Sequence, residues 1–127
     1  MKEFKLPENY QTVMPYLIVR DASGLKQFMI DVFGGRELKT HLRDGEPGIM
    51  HAEVQIGDST IMFGDCSEQW PPITAGLYIN VADADATYAL ALSKGAKSIM
   101  APVDQPYGRS GGIHDPFGNV WWITSPL

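Results

Sequence analysis

Cysteine is nearly absent. Cys66 stands alone among 127 residues, so this chain can build neither a disulfide framework nor a cysteine-ligated zinc site. No apolar run approaches the roughly 20 residues that a membrane-spanning helix needs. The opening stretch MKEFKLPENY lacks the apolar centre of a signal peptide. A cytoplasmic protein with no membrane partner is expected. Basic charge is scarce too: ten Lys and Arg against fifteen Asp and Glu leave a formal net charge of −5. A chain this acidic, with no basic block, offers nothing to a phosphate backbone, so no nucleic-acid partner is expected. Phosphate-cradling glycine loops are missing as well. What remains, 44% hydrophobic and 20% charged, is the balance of a globular chain and excludes disorder and coiled coil. The length suits a single domain spanning 1–127.

Within that domain the pattern repeats. Pro15–Val19 is a short apolar run of strand formers, and Asp21 then supplies a helix N-cap. Leu25, Phe28, Met29, Val32 and Phe33 recur at helical spacing until Gly34-Gly35 stops them. Strand-like runs follow at Arg36–Leu42, Met50–Ile56 and Ser59–Phe63, separated by turn chemistry at Asp44-Gly45 and Gly57-Asp58. The second half replays the order. Leu77–Val81 reads as a strand, and Asp83 or Asp85 caps a helix that runs through Lys94 to Gly95. Lys97–Pro102 is a strand, Gln105–Gly108 a loop, and Gly112–Asp115 and Asn119–Thr124 flank a Pro116-Phe117-Gly118 turn. Val19 matches Val81, Gly34 matches Gly95 and Gly57 matches Gly118, at offsets of 61 or 62 residues. The expected fold is α+β, with two tandem βαβββ modules at 12–64 and 75–126 and a linker at 65–74 containing Trp70-Pro71-Pro72. Neither half can cover both faces of its sheet, so the modules are expected to form a curved sheet around a cavity.

Strand alternation assigns faces. Leu17, Val19, Leu77, Ile79 and Val81 take the helix side. Tyr16, Ile18, Tyr78 and Asn80 take the other. The same rule sends Trp121 to the core and Trp122 to the cavity, and places Phe63 beside Ile61 as cavity lining. His51 and Glu53 share a strand face with Gln55. With His114, matched to Glu53 by the repeat offset, they are candidate catalytic or metal-binding groups. The plainer alternative is a solvated polar strand face and a turn histidine. A His-x-Glu pair also opens zinc deaminase signatures, but their paired cysteines are missing. Gly108–Gly112 matches G-x-S-x-G literally, yet no strand precedes the serine and no helix follows it, as a nucleophile elbow requires. The glycines instead suit a mobile loop over the cavity mouth, from which Tyr107 hangs as a lid and Arg109 meets an anionic ligand.

The paired βαβββ pattern, the opening Met14–Arg20, the His51-Ala52-Glu53 strand and the ending DPFGNVWWIT together resemble the vicinal oxygen chelate superfamily. The similarity covers roughly residues 12–126 and is strongest to the PhnB-like part of the glyoxalase and bleomycin-resistance branch. It implies metal ligands on the first and last strand of each module, at positions that fall on Met14, Gly76, Ile61 and Trp122. None offers an oxygen or nitrogen ligand, so neither metal nor other cofactor is expected. The resemblance then implies a protein like the metal-free bleomycin-resistance dimers. It would hold a small aromatic or amphipathic molecule among Met14, Tyr16, Ile61, Phe63, Tyr78, Asn80, Tyr107, Arg109 and Trp122. A homodimer, with modules paired within or exchanged between chains, comes with it. The alternative is a lyase, isomerase or dioxygenase using a displaced metal at His51, Glu53 and His114, or Glu53 alone as general base.

Overall fold

A computed structural model of the chain describes residues 2–127. The elements run β1 (Tyr16–Val19), α1 (Ala22–Phe33), β2 (Arg36–Leu42), β3 (Ile49–Ile56) and β4 (Ser59–Asp65) in a first compact unit that ends at Pro72. A second unit, Ile73–Leu127, contains β5 (Gly76–Asn80), α2 (Ala84–Ser93), β6 (Lys97–Gln105), β7 (Gly108–His114) and β8 (Val120–Ser125). The strands form two four-stranded sheets, ordered β1-β4-β3-β2 and β5-β8-β7-β6, one for each of the two βαβββ modules expected. In each, the first strand pairs parallel to the last and the other pairings are antiparallel.

The first helix starts where Asp21 accepts a hydrogen bond from Gly24 N at 2.9 Å, satisfying one of the orphan donors of the first turn. It ends at Gly34, whose φ of 68° is left-handed and lets its N–H turn back to Ile30 and Met29. Ala22, Leu25, Phe28, Met29 and Val32 are buried along one face. Opposite them lie Leu17, Val19, Ala52, Val54, Ile61 and Phe63, all buried. Asp83 caps α2 in the same way, accepting from Ala86 N.

A second device ties each helix to its sheet. Asp65, at the end of β4, accepts from Ala22 N at 2.8 Å with one carboxylate oxygen and from Ile49 N at 2.6 Å with the other. Ser125, at the end of β8, accepts from Ala84 N at 3.0 Å. Asp65 thus belongs to β4 and not to the expected linker, because hydrophobic patterning does not distinguish a capping carboxylate from a solvated one.

The expected loop over Gly108–Gly112 is instead strand β7, joined to β6 by a turn at Pro106-Tyr107. Its glycines serve close packing: a Cβ on Gly112 would stand 2.5 Å from the Trp122 ring, and one on Gly108 would stand 2.7 Å from Ser125 O. Ser110 is buried and bonded to the Thr124 hydroxyl at 2.8 Å, which leaves it no role as a nucleophile. Asp115 holds the following turn. Its carboxylate accepts from Phe117 N, Asn119 N, Asn119 Nδ2 and Trp121 Nε1 at 2.8–3.0 Å. The DPFGN stretch is therefore structural, and Trp121 is core.

Replacing Asp65 by Ala leaves two backbone donors without their side-chain partner, at an expected cost of about 1–3 kcal/mol. Urea denaturation of the variant and the parent protein checks this.

Candidate functional site

The parallel pairing of β1 with β4 decides which side chains can form a site. Leu17 lies beside Phe63 and Tyr16 beside Met62, and laterally paired residues in a sheet share a face. Ile61 and Phe63 therefore lie under α1 with Leu17, fully inside the core, and not on the face with Tyr16 as expected. The miscount has a simple source. Strand β4 has seven residues and β8 six. Counting forward from the hairpin glycines thus matches Ile61 to Trp122, while counting back from the helix-tying Asp65 and Ser125 matches Met62 to Trp122. A shift of one residue exchanges the faces of a strand.

The corrected face of the first module carries a row across the sheet: Tyr16, Met62, Glu53 and Lys39. Next to it on β3 sits His51, with His41 directly opposite on β2. The corresponding row of the second module is Tyr78, Trp122, Gly112 and Met100. The counterpart of Glu53 is thus Gly112, over which the Trp122 ring lies, and not His114.

Glu53 is only 1% exposed, an unusual position for a carboxylate. The segment before β1 helps cover it. Gln11 bonds to both the N–H and the carbonyl of Thr60, at 3.1 and 3.0 Å, and the Thr60 hydroxyl donates to Asn9 O. This pins Tyr10 so that its hydroxyl donates to Glu53 Oε2 at 2.6 Å. His51 Nε2 lies 2.7 Å from the same oxygen, and Tyr16 Oη lies 3.0 Å from His51 Nδ1. Burial opposes ionisation of Glu53. The hydrogen bonds from His51 and Tyr10 and the positive charge of Lys39 outweigh it, so the carboxyl titrates below its ordinary range. Tyr10 is pushed up by its hydrogen bond to Glu53 and by burial, and Tyr16 by burial and the Glu53 charge. Sequence reading missed Tyr10 because it lies ahead of the first recognisable strand, outside the repeat.

On the same side, Tyr16, Ile18, Met50, Gly64, Asp65 and Trp70 line a recess of about 390 Å³. Gly64 packs closely against the β3 backbone there: a Cβ on it would stand 2.6 Å from Met50 O. A turn holds Trp70 in place: Ser67 N donates to Trp70 O at 2.8 Å and Trp70 N donates to Ser67 Oγ at 3.0 Å. Its side chain nonetheless stays more than half exposed. Position in the linker gives no sign of this, since exposure of the indole is set by the fold and not by local sequence pattern.

The remaining sequence candidates scatter. Met14 is half-buried just before β1. Tyr78 and Trp122 lie side by side on the second module's open face, with Asn80 exposed beside Thr124. Tyr107 projects from the β6–β7 turn. The expected anion contact of Arg109 is corrected: its guanidinium already binds Asp85 at 2.6 and 3.1 Å and Asp104 at 2.9 Å, so the three together carry net negative charge. His114 is exposed at the end of β7, opposite Lys97. Among the described residues no three of His, Cys, Asp and Glu are grouped to hold a metal ion, so the His51, Glu53, His114 triple is not assembled. The donor chemistry at the corrected strand positions, a Met62 thioether and the Trp122 indole, does not fit a hard divalent ion either.

The profile of the Glyoxalase/Bleomycin resistance protein/Dioxygenase superfamily matches residues 10–123. An uncharacterized protein of Mycobacterium bovis is 32% identical over 126 residues, which cover 89% of this chain and 82% of that protein. Among solved structures, TnmS3, an antibiotic binding protein from Streptomyces sp. CB03234, superposes with a TM-score of 0.65 at 22% identity, covering 93% of this chain and 100% of that one. The PhnB protein of Bacillus cereus superposes with a TM-score of 0.70 at 15% identity, covering 91% and 99%.

Because Glu53 titrates lower folded than unfolded, the unfolded chain binds more protons across that interval, and stability falls as pH drops through it. Urea denaturation of the parent protein between about pH 5 and pH 3 should show this acid limb. In Glu53→Gln the limb should be flatter.

Proposed function

We propose that this chain, which belongs to the Glyoxalase/Bleomycin resistance protein/Dioxygenase superfamily, holds a small aromatic or amphipathic molecule in the recess of its first module. In this reading the protein sequesters or carries its ligand, and the ligand is recognised by apolar and aromatic surface without a divalent metal. The observation that carries the reading is the recess itself: a volume of about 390 Å³ walled by Tyr16, Ile18, Met50 and Trp70. Ligand pockets commonly measure roughly 300–1,000 Å³ and are lined mainly by apolar groups with a few placed polar ones.

Physical cost points the same way. Trp70 and Met50 are each 57% exposed, and leaving such surface in water forgoes about 25 cal/mol for each Å² a ligand would cover. Prolines 71 and 72 follow Trp70 directly and limit how far the backbone can relax to bury the ring. An indole held open in this way suits stacking on a planar ligand. The antibiotic-binding TnmS3, on the same fold, lends support. So does the absence of an oxygen or nitrogen metal ligand at Met14, Gly76, Ile61 and Trp122, where the family resemblance places them, and at Met62, the strand neighbour of Ile61 that takes the open face. A homodimer and a cytoplasmic location rest on the resemblance and the sequence alone.

Titrating the protein with neutral 4-nitroanisole should quench tryptophan fluorescence saturably. Trp70→Ala should weaken that binding about tenfold, the size expected for losing one stacked aromatic wall. Unchanged affinity in Trp70→Ala would move the site elsewhere. Calorimetry of chelator-stripped protein with zinc, nickel, manganese and ferrous iron should show no stoichiometric binding at micromolar affinity. Tight binding that disappears in Glu53→Gln would instead favour a metal-dependent enzyme.

A further inference from the structure

Glu53, His51 and Tyr16 form an unbroken hydrogen-bonded chain that runs from a buried carboxylate to the wall of the recess. The carboxylate, ionised, can only accept, so His51 Nε2 carries a proton and donates it to Oε2 across 2.7 Å. In the neutral ring Nδ1 is then the acceptor, and the Tyr16 hydroxyl donates to it across 3.0 Å. The second Glu53 oxygen, Oε1, is buried and has no hydrogen-bond partner among the described residues. A buried, ionised carboxylate attracts positive charge strongly, because little solvent screens it. Protonating His51 at Nδ1 supplies that charge one bond away.

We propose that this chain is a proton relay that opens into the recess at Tyr16 Oη, and that the ligand is one with an acidic hydroxyl, a phenol or an enol. The inference rests on the reading of the recess as a binding site. On binding, the ligand O–H bond breaks and its proton goes to Tyr16 Oη. The proton that Tyr16 held passes to His51 Nδ1, and the ligand remains as an oxyanion hydrogen-bonded to the regenerated phenol. Glu53 keeps its charge and stabilises the imidazolium, so no proton is lost and no further reactant is needed. Tyr16 does not rest as a phenolate, because burial and the Glu53 charge disfavour its ionisation; it passes one proton as it receives another.

The surroundings fit this role. Tyr16 is the one residue common to the relay and the recess lining. The Tyr16 and His51 rings lie 5.5 Å apart at a 37° tilt, which fixes their mutual orientation. Facing the relay are Tyr10 from the N-terminal segment and Lys39 and His41 from β2; the His41 ring lies 6.3 Å from His51. From β4 the row contributes Met62, which does not titrate. Lys39 adds positive charge on the carboxylate side and helps keep Glu53 ionised. Neither His51 nor Glu53 lines the recess: His51 is the proton acceptor behind Tyr16, and Glu53 is a positioning residue that acts through it.

The test uses two probes of one shape, 4-nitrophenol and 4-nitroanisole, the second without the acidic proton. At a pH below the ionisation of free 4-nitrophenol, the parent protein should raise the fraction of probe absorbing as nitrophenolate about tenfold, a shift of one pKa unit. His51→Gln should abolish the nitrophenolate band while keeping 4-nitroanisole affinity within about twofold, which also shows that the variant is folded and the recess intact. Tyr16→Phe should abolish the band as well. Equal binding of both probes with no nitrophenolate overturns the relay and leaves the binding site standing. A band that survives in Tyr16→Phe or His51→Gln overturns it too. If neither probe binds the parent protein, the recess reading fails and the relay fails with it.

Discussion

Everything on the candidate site follows from the parallel register between the first and last strand of each module. A parallel pair cannot be closed by a tight turn, so the chain must travel through a helix and two further strands before β4 returns beside β1. That path puts the helix on one face and obliges Leu17, Phe63, Ala52 and Val54 to pack beneath it. Asp65 then fixes the arrangement from the sheet side by taking up the first helical N–H. With the register set, Tyr16, Met62, Glu53 and His51 have no freedom over which way they face. Ser125 and Ala84 repeat the constraint in the second module.

The two modules have used the same geometry differently. In the second, the row across the sheet is Tyr78, Trp122, Gly112 and Met100, and the Trp122 ring occupies the space that a side chain at 112 would need. In the first, the same row holds a carboxylate at Glu53 and a slender thioether at Met62. Burying a carboxylate is unfavourable unless hydrogen bonds and charges compensate it. Tyr10 and His51 do so by hydrogen bonds to one oxygen and Lys39 by its charge, and the N-terminal segment supplies part of the cover. A purely structural role would be served as well by an apolar residue, which is why the arrangement reads as chemistry rather than packing.

The recess and the polar chain are adjacent through Tyr16 alone, and this division has a physical logic. In the proposed reading, apolar walls at Ile18, Met50 and Trp70 would supply binding that is indifferent to ligand orientation. A single hydroxyl, fixed by His51 and indirectly by Glu53, would supply direction. Residues that looked equally eligible by type do other work. Arg109 is neutralised by Asp85 and Asp104, Ser110 is locked to Thr124, and Asp115 organises the β7–β8 turn.

The sequence by itself determined the elements and their order. Hydrophobic period separates strands from helices, Asp21 and Asp83 mark helix starts, Gly34 marks a stop, and the doubled pattern announces two βαβββ modules. These are local signals, each written within a few residues. Alternation also placed His51 with Glu53, and Tyr78 with Trp122, on the correct faces, because both rules act along or directly across strands. Only the tertiary structure decided that Ile61 and Phe63 belong to the core, since β4 is one residue longer than β8 and a single residue reverses a face. It also decided that Tyr10, 43 positions away in the chain, would reach Glu53, and that Trp70 would stand over a recess instead of merely linking two modules. Such long-range meetings depend on the path of the backbone between them, and no short stretch of sequence records that path.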